Sequence, residues 1–313
     1  MKTLLRLPGL APLLAAAFIA AVPAAAAKDT TADTLTEKDR ARVVSIGGSI
    51  TEILYALGLQ DRIVAVDTTS LYPPEALEEN PNVGYMRALS AEGVLATEPG
   101  LIVAEPDSGP AEAIDQLKAA SVPFLTVPDT PSPEGVLEKI AAVGEIMDRE
   151  DDAGDLAAKV KADFAALDKE TGKIDAPRKV LFILSAQGGR LLVAGKQTGA
   201  DAIIRLAGGH NAVGDISGYK PISNEALIAA APDAIVMMSR GDHSASADGI
   251  LSHPAVAQTP AGKEKRLVVM DGLFLLGFGP RTPQAADALA RALYPESGIA
   301  PLPERPWAAA ETQ

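Results

Sequence analysis

The 313-residue chain carries 28 Lys and Arg against 41 Asp and Glu, a formal net charge of −13, and it has no cysteine. That balance argues against nucleic acid and against an anionic membrane surface as partners, because both need a basic patch. The missing thiols exclude a disulfide framework and a cysteine-borne lipid anchor, while 47% hydrophobic content leaves enough for a substantial core in one large or two ordinary domains.

The first 27 residues read as a cleavable secretory signal, with Lys2 and Arg6 ahead of an apolar stretch from Leu10 to Val22 and Ala24–Ala27 at the cleavage site. Pro8, Pro12 and Pro23 interrupt a segment already short for a membrane span of about 20 residues. Removing it leaves 26 basic and 41 acidic side chains, a net charge near −15. A soluble periplasmic protein is the expectation. Residues 28–41 are polar and read as a flexible leader.

From Arg42 onward, short apolar runs alternate with helical patterns. RVVSIGG (42–48), RIVAVD (62–67), LIVAE (101–105) and PFLTV (123–127) read as strands, with helices over 49–57 and AEAIDQLKAA (111–120). After a long helical interval the pattern restarts with KVLFILS (179–185), RLLVAG (190–195), AIVMMS (234–239) and RLVVMD (266–271). TGADAIIRLAG (198–208), SNEALIAAA (223–231) and PQAADALARALYP (283–295) supply the helices of this second half. Continuous β-branched runs alternating with helices indicate parallel sheets covered on both faces. The expected fold is α/β, with two Rossmann-like lobes built on mainly parallel sheets, at 42–150 and 174–296.

Between the lobes, residues 151–173 place Leu156, Val160, Phe164 and Leu167 on one stripe of a charged helix. Twenty helical residues span about 30 Å, enough to bridge two lobes with a single stiff element. The tail, 297–313, with three prolines and the single tryptophan, reads as loosely held.

Catalytic motifs are scarce. GGRLLVAGKQT (188–198) lacks the spacing of a phosphate-binding loop, and glutamine follows its lysine where a magnesium-binding hydroxyl belongs. GGSIT (47–51) opens a helix after a strand and its amides are placed to cradle an anion, with Ser49 read as the helix N-cap. His210, His243 and His253 sit on glycine- or serine-rich loops without zinc-ligand spacing. The chain reads as a binder and not an enzyme.

Four stretches carry a resemblance: RVVSIGGSITEILYALGLQDRIVAVDTTSLYP, VGYMRALSAEGVLATEPGLIVA, GYKPISNEALIAAAPDAIVMMSRG and VVMDGLFLLGFGPRTPQAADALARALYP. They resemble haem-binding periplasmic proteins of bacterial ABC importers, and the likeness runs from about Arg42 to Pro295. The resemblance implies a class III periplasmic binding protein, two lobes joined by one long helix with the ligand in the cleft between them. It further implies a carrier of ferric haem, bound as haem b, that delivers it to an ABC permease and ATPase complex. An outer-membrane haem receptor is the implied upstream source. A carrier of cobalamin or of a ferric siderophore is the alternative within the same architecture, and a periplasmic hydrolase the alternative outside it.

In that family the tyrosine of GYMR is the axial ligand to haem iron, which makes Tyr85 the expected ligand here. From composition alone Tyr85 reads as a tyrosine packed over a loop. Phenolate is a hard anionic ligand suited to ferric iron, as in catalase, and a neighbouring guanidinium favours the ionised phenol. Arg240 and Arg87 are the two candidates for that cation, with Arg240 preferred across the cleft and Arg87 assigned to a haem propionate or an acid of its own lobe. Met86 is expected to wall the pocket and Tyr219 to border the porphyrin or to be an ordinary turn tyrosine. One haem per chain is expected. Glu112 and Glu225, one on each lobe near a helix start, are the expected contacts to permease arginines; stabilisation of the helix start is their ordinary role.

Overall fold

The computed structural model describes residues 32–239 and 247–308. The signal segment, Arg240, His243 and the last five residues of the tail lie outside the described residues.

The N-terminal lobe contains strands β1 (Val43–Ile46), β2 (Ile63–Val66), β3 (Leu101–Ala104) and β4 (Phe124–Thr126). Its helices are α1 (Glu37–Arg40), α2 (Gly48–Ala56), α3 (Glu75–Glu79), α4 (Ala91–Leu95), α5 (Ala111–Ala119) and α6 (Pro133–Met147). The four strands form a wholly parallel sheet in the order β2-β1-β3-β4. Every residue of β1 and β3 is buried, as expected for strands covered on both faces.

Helix α7 (Glu150–Thr171) then crosses to the C-terminal lobe, packing on α6 at one side and, at the other, on α13 (Thr282–Leu293) of that lobe. Ala153, Leu156, Val160, Phe164 and Leu167 form its buried stripe. The remaining strands are β5 (Lys179–Gln187), β6 (Arg190–Ala194), β7 (His210–Asn211), β8 (Tyr219–Ile222), β9 (Ala234–Ser239) and β10 (Leu267–Asp271). Alongside them lie α8 (Gly199–Leu206), α9 (Asn224–Ala230), α10 (Ala247–Leu251), α11 (Pro260–Lys263) and α12 (Gly272–Leu276).

The second sheet runs β10-β9-β5-β6-β8 and is mixed: β9 and β10 lie parallel to β5, whereas β6 is antiparallel to β5 and to β8. Only Gly188 and Gly189, both at positive φ, separate β5 from β6. A two-residue turn of that kind makes a hairpin, since a parallel crossover needs a dozen residues or more.

Two expectations about the ends need correction. The described part of the leader is tied down: Thr36 caps α1, and the buried Arg40 donates to the carbonyls of Ile146, Leu35 and Ala32. The tail is anchored as far as Ala308: Arg305 makes two bonds to the buried Asp163 of α7, at 2.6 and 2.9 Å, and Trp307 packs against the core. A guanidinium with buried acceptors is costly to release, and that holds each end in place.

One hydrophobic cluster extends through both lobes, from Val43 and Ile53 through Ile140, Leu156 and Phe164 to Phe182, Ile203 and Leu289. Each fully buried Leu or Ile contributes about 1.5–3 kcal/mol, so α6 and α7 join the lobes through a shared interior.

Candidate functional site

In open α/β sheets a ligand binds outside the carboxyl ends of the strands, where the strand order reverses. The N-terminal sheet reverses between β1 and β3. The carboxyl end of β1 leads into Gly47 and Gly48, and Gly48 meets the other lobe: a Cβ on it would lie 2.6 Å from Leu273 Cδ1, on the helix that follows β10. The carboxyl ends of both sets of parallel strands therefore converge on one interlobe seam.

The amides at the start of α2 are already occupied. Gly47 N–H donates to Asp67 Oδ1 at 2.8 Å and Gly48 N–H to Thr69 Oγ1 at 3.0 Å. The protein supplies its own anion there. Ser49 is not the N-cap; Gly47 is. With two glycines completing the turn, Ser49 falls inside the helix and fully buried, donating to Glu105 Oε1 at 2.5 Å and accepting from Lys139 Nζ at 2.7 Å.

Lys139, from α6, is completely buried and also bonds Asp129 Oδ1 at 2.7 Å and the Gly277 carbonyl of the other lobe at 3.5 Å. Burial pushes the Glu105 carboxyl above its usual range, against the opposing pull of Lys139. Beside it, Glu52 Oε1 accepts from Arg281 Nη2 at 2.6 Å across the seam, and the Arg281 guanidinium lies 3.5 Å from the centre of the Tyr72 ring. Burial raises the Glu52 carboxyl too, with Arg281 acting the other way. These buried charges fix the lobes to each other.

Tyr85 is placed by the loop that leaves β2. Asn82 bridges Val66 in parallel, Thr68 N–H donates to the Gly84 carbonyl, and Tyr85 emerges beyond, 43% exposed. Its hydroxyl accepts from Arg87 Nη1 at 2.9 Å, and Arg87 Nη2 is held by Asp107 Oδ2 at 3.0 Å. Asp107 belongs to the loop after β3. That loop is stitched to the tyrosine loop by Gly109 N–H to the Met86 carbonyl at 2.9 Å and Leu89 N–H to the Gly109 carbonyl at 2.8 Å. Burial works against the charge of Arg87, but its bonds to Tyr85 and Asp107 outweigh that and raise its pKa. A phenol, a guanidinium and a carboxylate thus stand in line on the end of the sheet where a ligand is expected.

The other expected residues are distributed differently. Arg240 lies outside the described residues, and Arg87 is the guanidinium on the Tyr85 hydroxyl among those described. Met86 is 4% exposed and packs with Val44, Ile46 and Ala104 in the core of its lobe, so it backs the tyrosine loop and does not wall a pocket. Tyr219 pairs with Ala194, at the end of β6 remote from the hairpin. Val193, next to Ala194, pairs with Ile183 in the middle of β5, so Tyr219 lies level with the middle of the parallel strands, short of their carboxyl ends. Glu112 opens α5, directly after the loop that carries Asp107, and Glu225 opens α9 after Ile222, which pairs with Leu191 beside the hairpin. Both acids are exposed and lie at the carboxyl-end face of their sheets. Glu225 is held below the usual carboxylate range by hydrogen bonds from its own backbone N–H and the Ser223 hydroxyl. His210 is exposed in β7, and the His253 ring meets the Gly189 carbonyl at 3.3 Å.

Sequence reasoning did not find Asp107, Lys139, Glu105, Glu52 or Arg281. Lys139 had a signal, since it interrupts the apolar stripe of Val136, Ile140 and Val143. Glu52 had the same one, between Ile50 and Ile53.

Comparison with known proteins places this geometry. The apo structure of the periplasmic heme-binding protein RhuT from Roseiflexus sp. RS-1 superposes with a TM-score of 0.78 at 40% identity, covering 82% of this chain and 98% of that one. An uncharacterized ABC transporter substrate-binding lipoprotein of Bacillus subtilis, YvrC, is 30% identical over 85% of this chain and 83% of its own length. The vitamin B12-binding protein of Vibrio parahaemolyticus is 29% identical over 67% of this chain and 74% of its own. Residues 43–272 match the family described as periplasmic binding protein, and the chain belongs to that family of substrate-binding proteins.

Proposed function

We propose that the chain is a periplasmic carrier of ferric haem, bound as haem b between the lobes with the Tyr85 phenolate on iron, and that it passes its cargo to an ABC permease and ATPase complex. The observation that carries this reading is the exposed Tyr85 hydroxyl held at 2.9 Å by Arg87, at the carboxyl end of the sheet. The 40% identity to a heme-binding protein of the same fold supports it. The carrier is exported by the segment 1–27, takes up one haem supplied by an outer-membrane receptor and returns the porphyrin unchanged, without turnover. Its lobes, 42–150 and 174–296, flank the bridging helix 151–173. Arg240, which follows Ser239 in the sequence, is the second candidate for the cation that favours the phenolate. Glu112 and Glu225 dock on the permease.

The test is an absorbance titration with hemin. Tyr85→Phe keeps the ring and removes the ligating oxygen, so the tyrosinate charge-transfer band disappears and binding weakens by at least about tenfold, or 1.4 kcal/mol. An unchanged spectrum in this variant rejects the assignment. Cobalamin is the second reading, favoured by the similarity to a vitamin B12-binding protein. Titration with cobalamin separates the two, because a cobalamin carrier binds it tightly whether or not Tyr85 keeps its hydroxyl.

A further inference from the structure

We infer that Asp107 is a positioning residue for the iron ligand: it holds one arm of the Arg87 guanidinium so that the other is directed at the Tyr85 hydroxyl. The inference rests on the haem reading of this site and names the residue that tunes it. Arg87 bonds Asp107 through Nη2 at 3.0 Å and Tyr85 through Nη1 at 2.9 Å, so the planar fork is fixed at two corners. The loops bearing Tyr85 and Asp107 are bonded to each other through Met86, Leu89 and Gly109, and the Ser108 hydroxyl pins the Asp107 loop to the Glu105 carbonyl at 2.7 Å. Asp107 therefore has a fixed origin from which to hold a long, rotamer-rich side chain.

Stability does not account for the contact. The Arg87 and Asp107 side chains are 54% and 70% exposed, and exposed pairs contribute about 0–1 kcal/mol. Its effect is geometric and grows when a flat apolar ligand covers the three groups, because lower local dielectric strengthens a directed hydrogen bond. Asp107 has two separable influences on haem binding: its charge partly offsets that of Arg87, and its grip on Nη2 aims Nη1 at the Tyr85 oxygen. The positioning role requires the second to dominate, so that loss of Asp107 weakens binding.

The experiment has one arm without haem and one with it. In the apo protein, nitrogen-15 NMR of the Arg87 side chain reports rotation about the Cζ–Nη bonds. Asp107→Ala is expected to speed that rotation, and Asp107→Asn, which keeps an acceptor, to restore most of the restraint. With hemin bound, Asp107→Ala is expected to weaken binding about threefold. Arg87→Ala weakens it further, and adding Asp107→Ala to Arg87→Ala changes nothing more. Unchanged or tighter binding in Asp107→Ala, an unchanged rotation, or an undiminished effect in the Arg87→Ala background overturns the inference. Loss of the haem reading shows separately, as an unaltered spectrum in Tyr85→Phe. The rotation measurement still decides whether Asp107 positions Arg87.

Discussion

Glu105 and Asp107 stand two residues apart on one loop in opposite circumstances. The Asp107 side chain is 70% exposed and directs a neighbour, whereas that of Glu105 is 13% exposed and carries a raised pKa because burial penalises its charge. The folded protein therefore binds a proton at Glu105 more readily than the unfolded chain does. Its contribution to stability is present at pH values below the unfolded pKa and is lost as pH rises through the raised folded value. Lys139, Asp129, Asp67 and the Ser49 hydroxyl face this carboxyl. Glu105→Gln is expected to remove that dependence: between pH 4.5 and neutrality, the unfolding free energy from urea titration falls less steeply with pH than in the wild type. Identical slopes contradict it. At this scale the sequence revealed what is local. Tyr85 and Arg87 are two residues apart and their pairing was one of two options, while Asp107 is 20 residues further on and joins them only because β2 and β3 flank β1 in the same sheet.

Among the elements, α7 was legible because a 3.6-residue period states which face is buried, and Leu156, Val160, Phe164 and Leu167 are buried as read. The β5–β6 hairpin was legible too, in the Gly188-Gly189 pair, but that pair was weighed only against a phosphate loop. Strand β8 was missed since its pattern, YKPI, is exposed along most of its length at the sheet edge and has no apolar run. The tail was misread because composition alone says nothing about a distant partner. Its Arg305 meets Asp163, a 1% exposed carboxylate of α7 that otherwise has Gln284 at 2.9 Å. Removing one side of a buried pair leaves the other charge without compensation. Arg305→Ala is accordingly expected to cost about 3 kcal/mol in chemical denaturation, and adding Asp163→Asn to recover part of the loss. No recovery in the double variant means that the tail acts by packing Trp307 and not through the ion pair.

For the whole molecule, the two sheets present their carboxyl ends to one seam, and this places Tyr85, Glu112 and Glu225 toward the same face. A permease with a basic contact for each lobe can read both acids at once, which sets orientation more than affinity. The double reversal Glu112→Lys with Glu225→Lys is expected to leave the hemin spectrum and affinity intact and to abolish stimulation of the partner permease's ATPase in reconstituted vesicles. Normal stimulation returns both acids to being helix-start residues. The two-lobe plan itself was legible from the restart of the strand pattern after a long helical interval.

The hydrophobic cluster that passes from Val43 through α6 and α7 to Leu289 has a further consequence for how the molecule comes apart. Each lobe also has a cluster of its own, around Val44 and Ile102 in one and Leu181 and Ile235 in the other, but the shared cluster makes a single unfolding step the expected outcome. Cut within α7, each fragment would expose the apolar face that its neighbour had covered, together with one member of the Glu52–Arg281 pair. The outline is that of two domains, but the shared cluster is expected to couple them, and either half made alone lacks part of its core.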